Sequence, residues 1–149
     1  MSITTIDPST GRPLATYRET TATELDGLLD QARSAAKVWC EMSLEWRADR
    51  LHQLAIVLLE RKEDLALLAT MEMGKPLAES RAEVEKCVHA CVWYAEHAPA
   101  MLRPEIVDTE AMRTCVLPKP LGVVFAVMPW NLPYWQVVRA HAPALPQGT

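Results

Sequence analysis

Residues 123–133 have the sequence Val-Val-Phe-Ala-Val-Met-Pro-Trp-Asn-Leu-Pro, in which an apolar run leads directly into a turn framed by two prolines. Six consecutive apolar residues bounded by turn residues are typical of a strand that is buried on both faces of a parallel sheet. We therefore predict one buried strand over residues 123–128. A strand of this kind needs neighbours, and the sequence contains no second run of equal quality. This shortage predicts that the chain is truncated before the sheet to which the strand belongs.

Asn131, in the turn after this strand, is the first candidate for chemistry. Its side-chain amide can donate a hydrogen bond without adding a charge. Such a donor suits the negative oxygen that develops on a carbonyl under attack. This role requires Asn131 to face a concave pocket rather than bulk solvent. The alternative is a structural asparagine, since asparagine is common in turns.

The segments before the strand predict a mostly helical chain. Apolar residues at helical spacing predict a first helix over residues 23–41, begun by a capping box of Thr23 and Asp26. A second helix is expected to begin after Ser43 and to break at the charged cluster 61–64.

Glycine and proline mark the ends of the next helices. The helical stretch 65–73 is predicted to end at Gly74, because glycine favours the left-handed conformation that follows many helices. Pro76 suits the first turn of a third helix, where its missing N–H has no partner in any case. Pro99 and Pro104 are expected to end that helix.

The remaining segments are predicted to be extended or turn-like. Residues 7–13 are rich in turn-forming types, and residues 105–117 predict two short strands in an exposed hairpin or arm. A last helix is predicted to begin near Pro133 and to be ended early by Pro146.

Length and composition narrow the function classes. The 149 residues, 50% hydrophobic and 23% charged, fit one globular domain. A net charge of −4 without a run of basic residues argues against nucleic acid as a partner. No apolar stretch reaches the roughly 20 residues that cross a bilayer, and residues 1–7 lack the pattern of a signal peptide. We therefore expect a cytoplasmic protein without a membrane partner.

The four cysteines are spaced without a disulfide framework and are expected to be reduced thiols. Cys87 and Cys91, four residues apart on a predicted helix, are a weak zinc signal because no further ligands accompany them. Buried apolar thiols are the better interpretation, and no metal site is predicted.

Five short motifs occur in an order that resembles the aldehyde dehydrogenase superfamily. They are Asp-Pro-Ser-Thr-Gly at 7–11, Glu-Met-Gly-Lys-Pro-Leu at 72–77, Pro-Leu-Gly-Val at 120–123, Pro-Trp-Asn-Leu-Pro at 129–133 and Ala-Pro-Ala-Leu at 142–145. The resemblance covers nearly the whole chain. Within the superfamily, the amino-acid sequence of residues 93–102 and 128–137 is most similar to that of succinate-semialdehyde dehydrogenases.

The resemblance implies oxidation of an aldehyde to a carboxylic acid with NAD or NADP as the cofactor. It implies that Asn131 donates to the oxyanion and that Arg139 binds the carboxylate of an acid semialdehyde. Arg139 could equally be a solvated helix arginine. It further implies a wall on the nicotinamide side of the site, to which four residues contribute: Met128, Pro129, Trp130 and Asn131. Trp130 also fits ordinary core packing.

The family's catalytic cysteine, general-base glutamate and Rossmann-like glycine turn lie downstream of the Pro-Trp-Asn segment. We therefore expect an α/β fold limited to the N-terminal portion of the aldehyde dehydrogenase fold. It would be mostly helical, with one buried strand, and truncated before the Rossmann-like core. Residues 1–149 would form part of the cofactor-binding domain, and the arm at 105–117 would join subunits of a homo-oligomer. The chain alone is expected to be inactive; a helical interaction module and a non-functional remnant are the alternatives.

Overall fold

The computed structural model describes residues 2–149 and contains two β-hairpins and five α-helices within them. The elements are β1 Ser2–Ile6, β2 Pro13–Arg18, α1 Ala22–Glu41, α2 Leu44–Glu60, α3 Lys62–Met73, α4 Leu77–Met101, β3 Glu105–Val107, β4 Thr114–Val116 and α5 Pro133–Ala144, followed by a 3-10 turn at Leu145–Gln147. None of the helices in this described part is both long enough and apolar enough to span a membrane.

The two hairpins are separate antiparallel pairs. β1 pairs with β2, with Ser2 opposite Arg18, and β3 pairs with β4, with Ile106 opposite Cys115. The turn between β1 and β2 is closed by Asp7, whose carboxylate accepts the backbone N–H of Ser9 at 2.8 Å. Both the turn at 7–13 and the two short strands within 105–117 are confirmed.

The start of α1 differs from the prediction by two residues. Thr21, not Thr23, is the N-cap: its hydroxyl accepts the backbone N–H of Glu24 at 3.3 Å, and the Glu24 carboxylate accepts the N–H of Thr21 at 2.8 Å. A glutamate reaches back to the cap more readily than the shorter Asp26 would. Arg18 also holds the Glu24 carboxylate, at 2.6 Å.

Three of the predicted helix ends are confirmed. Ser43 caps α2 by accepting the backbone N–H of Trp46 at 3.1 Å. Arg61 separates α2 from α3, inside the predicted break at 61–64. Gly74 ends α3 with a φ of 70°, a left-handed conformation that disfavours other residues.

The prediction that Pro99 ends α4 is wrong, because the helix continues to Met101. Proline removes one N–H from the last turn, but the backbone bond from Leu102 to Ala98, at 3.0 Å, still closes it. Ala95 and Ala98 are buried there, so packing holds the turn in place. Pro104 lies beyond the end of the helix, as expected.

The core is built around α4, which packs against α2, α3 and α5. Its central cluster comes from three helices and consists of small and medium apolar side chains: Leu51, Ala55, Cys87, Cys91, Ala95, Val138 and Ala142. Cys87, Cys91 and Ala95, which are four residues apart, place one face of α4 in this cluster.

The prediction of a buried strand at 123–128 is wrong for the part of the chain that the structure describes, residues 2–149. This segment forms no strand, and Phe125 and Val127 are 83% and 81% exposed. A β-strand requires hydrogen-bonded neighbours. Among the described residues, β1 pairs only with β2 and β3 pairs only with β4, so neither hairpin provides a partner for residues 123–128. The segment is thus an exposed apolar run with no sheet beside it in this part of the chain.

Candidate functional site

The Pro-Trp-Asn-Leu-Pro turn leads into α5, and the residues next to the first turn of α5 provide no side-chain cap. Leu132 occupies the N-cap position and has no side-chain oxygen to offer. Pro133, the first helical residue, has no N–H. The free backbone N–H groups of Tyr134 and Trp135 instead donate to Oε1 of Glu83, each at 2.9 Å.

Glu83 is a buried carboxylate on α4, and sequence reasoning missed it. Its side chain is only 2% exposed, and its second oxygen pairs with the ammonium of Lys75, which is itself 11% exposed. A buried charge persists when it is paired and hydrogen-bonded, and both conditions hold here. The sequence signal was a glutamate beside Val84 on the buried face of α4. Lys75, which lies within the motif at 72–77, is the partner of this carboxylate.

Two further contacts hold the first turn of α5. The hydroxyl of Tyr134 donates to the carbonyl oxygen of Leu65 at 2.8 Å, and burial raises the pKa of this tyrosine. The ammonium of Lys86 lies 3.8 Å from the centre of the Trp135 ring, within range of a cation–π interaction. The start of α5 is therefore fixed to both α3 and α4.

A cleft of about 270 Å³ lies beside this start. Both charge signs and apolar surface contribute to its lining, which consists of Lys75, Glu79, Ala82, Glu83, Lys86, Leu132 and Trp135. Two other cavities, of about 320 and 550 Å³, lie between α1 and residues 119–124.

The predicted site residues are continuous along the turn but open to solvent. Pro129, Trp130 and Asn131 are exposed, while Met128 is half-buried. Asn131 lines none of the three cavities above, so the pocket that its predicted role requires is not provided by these cavities. Arg139 is exposed on the second turn of α5. The roles of these five residues stay predictions.

The interpretation of Cys87 and Cys91 as buried apolar thiols is confirmed. Both are free and fully buried. Burial raises the pKa of Cys87 to about 12 and that of Cys91 to about 11. The thiolate is the nucleophilic form of cysteine, so neither side chain is suited to nucleophilic attack at neutral pH.

The comparison with known sequences decides the family. The sequence model of the aldehyde dehydrogenase family matches residues 1–149. This chain belongs to the aldehyde dehydrogenase family. It is 38% identical over 143 residues to the succinate semialdehyde dehydrogenase [NAD(P)+] Sad of Escherichia coli K12, covering 96% of this chain and 31% of that protein. It is 39% identical to a probable succinate-semialdehyde dehydrogenase [NADP(+)] of Synechocystis, covering 99% of this chain and 33% of that protein.

Solved structures agree with this assignment. A succinic semialdehyde dehydrogenase from Streptococcus pyogenes, in complex with NADP+, superposes with a TM-score of 0.92 at 34% identity, covering 97% of this chain and 32% of that one. Gox0499 superposes with a TM-score of 0.95 at 26% identity, covering 99% and 33%. The chain thus spans about a third of the length of the relatives it matches. Its architecture is an N-terminal portion of the aldehyde dehydrogenase fold, as predicted apart from the strand.

Proposed function

We propose that residues 1–149 are the N-terminal part of an NAD(P)-dependent aldehyde dehydrogenase that oxidises a short acid semialdehyde, with succinate semialdehyde as the preferred substrate. The observation that carries this proposal is the match to succinate-semialdehyde dehydrogenases, at 38% and 39% identity over almost the whole chain. The match includes the Pro-Trp-Asn-Leu-Pro turn, whose helix is fixed to α4 through Glu83.

In this proposal, Asn131 donates its side-chain N–H to the oxyanion that forms when the aldehyde carbonyl is attacked. An amide is suited to the task because it is a neutral donor. A fixed donor stabilises the transition state more than the substrate, since negative charge grows on the oxygen during the attack. Asn131 is exposed and lines none of the three cavities described above, so this role requires that residues outside 2–149 complete its pocket.

The residues before Asn131 suit the nicotinamide ring of NAD or NADP. Trp130 presents an exposed indole, and Met128 presents a half-buried thioether; both are apolar surfaces against which a flat ring packs well. When bound, the nicotinamide accepts the hydride of the reaction. The role of Met128, Pro129 and Trp130 is to orient that ring beside Asn131.

Arg139 is proposed to bind the substrate's distal carboxylate. Its guanidinium forms two parallel hydrogen bonds with a carboxylate, which a lysine cannot match. Arg139 lies about 9 Å along the helix axis from the start of α5, at 1.5 Å per residue. A four-carbon acid semialdehyde and the arginine side chain together can bridge this span, so the residue would select acid semialdehydes over uncharged aldehydes.

We also propose that residues 105–117 join subunits of a homo-oligomer. Ile106, Met112 and Val116 are large apolar side chains exposed on this hairpin segment. Exposed apolar surface of this kind is typical of contact surfaces between proteins. The same observation favours the second candidate function, a non-catalytic interaction module.

By themselves, residues 1–149 are proposed not to oxidise aldehydes. The buried thiols Cys87 and Cys91 stay protonated at neutral pH because burial raises their pKa values. A reducing compartment such as the cytoplasm fits the four free thiols.

The experiment uses a hybrid enzyme, in which residues 1–149 are joined to the remaining two thirds of the E. coli relative. Reduced cofactor is measured with succinate semialdehyde and with butanal, an uncharged aldehyde of equal length. Arg139→Met should raise the KM for succinate semialdehyde about 10–100-fold, the loss of a charge-assisted pair, and leave that for butanal unchanged. Arg33→Met, an exposed arginine on α1, is the control. A folded hybrid that binds cofactor but does not oxidise succinate semialdehyde contradicts the proposal.

A further inference from the structure

We propose that Glu83 is a positioning residue for Asn131, because its carboxylate determines where α5 begins. This inference rests on the proposed function, in which Asn131 is the oxyanion donor. Glu83 contacts neither substrate nor cofactor in this account. It acts through the backbone of α5, and its effect on the reaction passes through Asn131.

The start of α5 depends on Glu83 because the local sequence supplies no alternative. Most helices begin at a serine, threonine, aspartate or asparagine whose side chain binds the free N–H groups of the first turn. Leu132 cannot do so, and Pro133 has no N–H to be satisfied. The N–H groups of Tyr134 and Trp135 both donate to one oxygen of Glu83. A cap from the residue that precedes the helix would move with the turn, whereas Glu83 ties the turn to α4.

Glu83 is itself held firmly in place. Oε1 accepts the two backbone N–H groups, and Oε2 pairs with the ammonium of Lys75. The negative charge also lies at the positive end of the α5 dipole. Around it, Ser80, Val84 and Cys87 of α4 are fully buried. The carboxylate therefore has little freedom to shift.

A displacement of the α5 start reaches Asn131 with little loss. Only Leu132 and Pro133 separate Asn131 from the first N–H that Glu83 binds. The ring of Pro133 fixes its own φ and restricts the conformation of Leu132 before it. A donor amide misplaced by about 1 Å can lower the rate of a reaction on the order of 100-fold.

Two substitutions separate reach from charge. Glu83→Gln keeps the length of the side chain and an acceptor oxygen but removes the charge. Glu83→Asp keeps the charge but withdraws the carboxylate by one methylene. In the hybrid enzyme, positioning by reach predicts that Glu83→Asp lowers kcat about 10–100-fold with KM unchanged. Glu83→Gln keeps an oxygen that can accept the two N–H groups, so kcat should fall less than in Glu83→Asp, whereas the unpaired ammonium of Lys75 should lower the free energy of unfolding. Glu79→Asp, on the same helix and cleft, is the matched control.

A double-mutant cycle shows whether Glu83 acts through Asn131. In the Asn131→Ala background, Glu83→Asp should cause no further loss of kcat, since the donor is already absent. Equal losses in both backgrounds overturn the proposal, because they indicate a general structural role. A larger loss in Glu83→Gln than in Glu83→Asp also overturns it. If Asn131→Ala itself retains the parental kcat, the proposed function of Asn131 as a donor fails. If Asn131→Ala lowers kcat but Glu83→Asp does not, only the positioning role of Glu83 fails.

The contact can also be read directly in the 149-residue chain. The amide hydrogens of Tyr134 and Trp135 should exchange slowly with solvent in the parent and in Glu83→Gln. They should exchange faster in Glu83→Asp. The amide of Gln136, which donates to the carbonyl of Leu132 at 3.0 Å, is the internal reference. Equal exchange at Tyr134 and Trp135 in the parent and in Glu83→Asp overturns the positioning role, whatever the activity of the hybrid.

Discussion

The indole N–H of Trp39 donates to the carbonyl oxygen of Leu145 at 2.9 Å, across 106 residues of sequence. Arg47 makes a similar bond to the carbonyl oxygen of Pro146 at 3.0 Å. α1 has no buried residue, and the bond from Trp39 holds its C-terminal end against the core; Arg47 lies on α2. Both bonds also hold the segment that follows the C-terminal end of α5. The candidate site lies at the N-terminal end of the same helix.

Replacing Trp39 by phenylalanine should destabilise the chain by about 1 kcal/mol. The variant keeps an aromatic ring against Trp46, whose centre lies 5.3 Å away, but loses the donor to Leu145. A typical intramolecular hydrogen bond contributes about 1 kcal/mol net. Urea unfolding measures the difference. Trp93→Phe, at an exposed tryptophan of α4, is the control, and equal destabilisation by both variants would argue against a stabilising bond from Trp39 to Leu145.

The free energy of unfolding should fall as the pH rises above about 9. Burial, followed by the charges of Glu83 and Cys91, raises the pKa of Cys87 from 9.0 to about 12; the nearby Lys86 and Lys75 oppose this. The unfolded thiol ionises near 9 while the folded one holds its proton. Its stabilising contribution is therefore complete below pH 9 and is lost as the pH rises towards 12.

Urea unfolding at about pH 8 and about pH 10.5 checks this expectation. Cys87→Ala should be less stable at both pH values but should lose less stability between them. Cys40→Ala, at an exposed thiol, should show the parental difference. A parental pH difference in Cys87→Ala would be inconsistent with titration of this buried group.

The first turn of α1 should lose protection in acid. Arg18, then the backbone and hydroxyl of Thr21, lower the pKa of Glu24 from 4.5 to about 2. The contribution of this carboxylate is present above pH 4.5 and is lost as the pH falls through 2. Hydrogen-exchange protection of the Glu24 and Leu25 amides should drop over that interval. In Glu24→Gln it should not change with pH; a parental profile in that variant would rule out Glu24 as the cause.

The exposed apolar run should drive self-association of the 149-residue chain. Phe125 and Val127 leave large side chains in water, and unpaired segments of this kind favour aggregation. Phe125→Ser together with Val127→Ser should reduce concentration-dependent sedimentation in ultracentrifugation. Val38→Ser, also an exposed apolar position, should have a smaller effect because its neighbours on α1 are held in a helix. Unchanged sedimentation of the double variant would point to another surface.

Structural features that depend only on residues close together in the sequence were predictable. The cap at Ser43 and the left-handed end at Gly74 follow from local chemistry, and both are confirmed. The burial of Cys87 and Cys91 was predicted from their apolar character and their spacing on a helix, and it is confirmed. The strand at 123–128 was not predictable, because a strand forms only where hydrogen-bonding partners are present.

The contacts that hold the candidate site in place could not be predicted from the sequence. Glu83 accepts hydrogen bonds from Tyr134 and Trp135, which follow it by 51 and 52 positions in the sequence. No pattern in the sequence pairs Glu83 with these two residues. Its one signal was a charge next to the buried Val84, which shows that a partner exists without showing which one. Asn131 was selected as a candidate through its motif, and it lines none of the three cavities described above.

The most direct test of the central claim is the kcat of the hybrid enzyme with Asn131→Ala. We expect a fall of about 10²–10³, the loss of one oxyanion donor, with cofactor binding unchanged. Gln136→Ala, another side-chain amide on α5, should retain the parental kcat. A folded, cofactor-binding Asn131→Ala enzyme with parental kcat would contradict the assignment of Asn131.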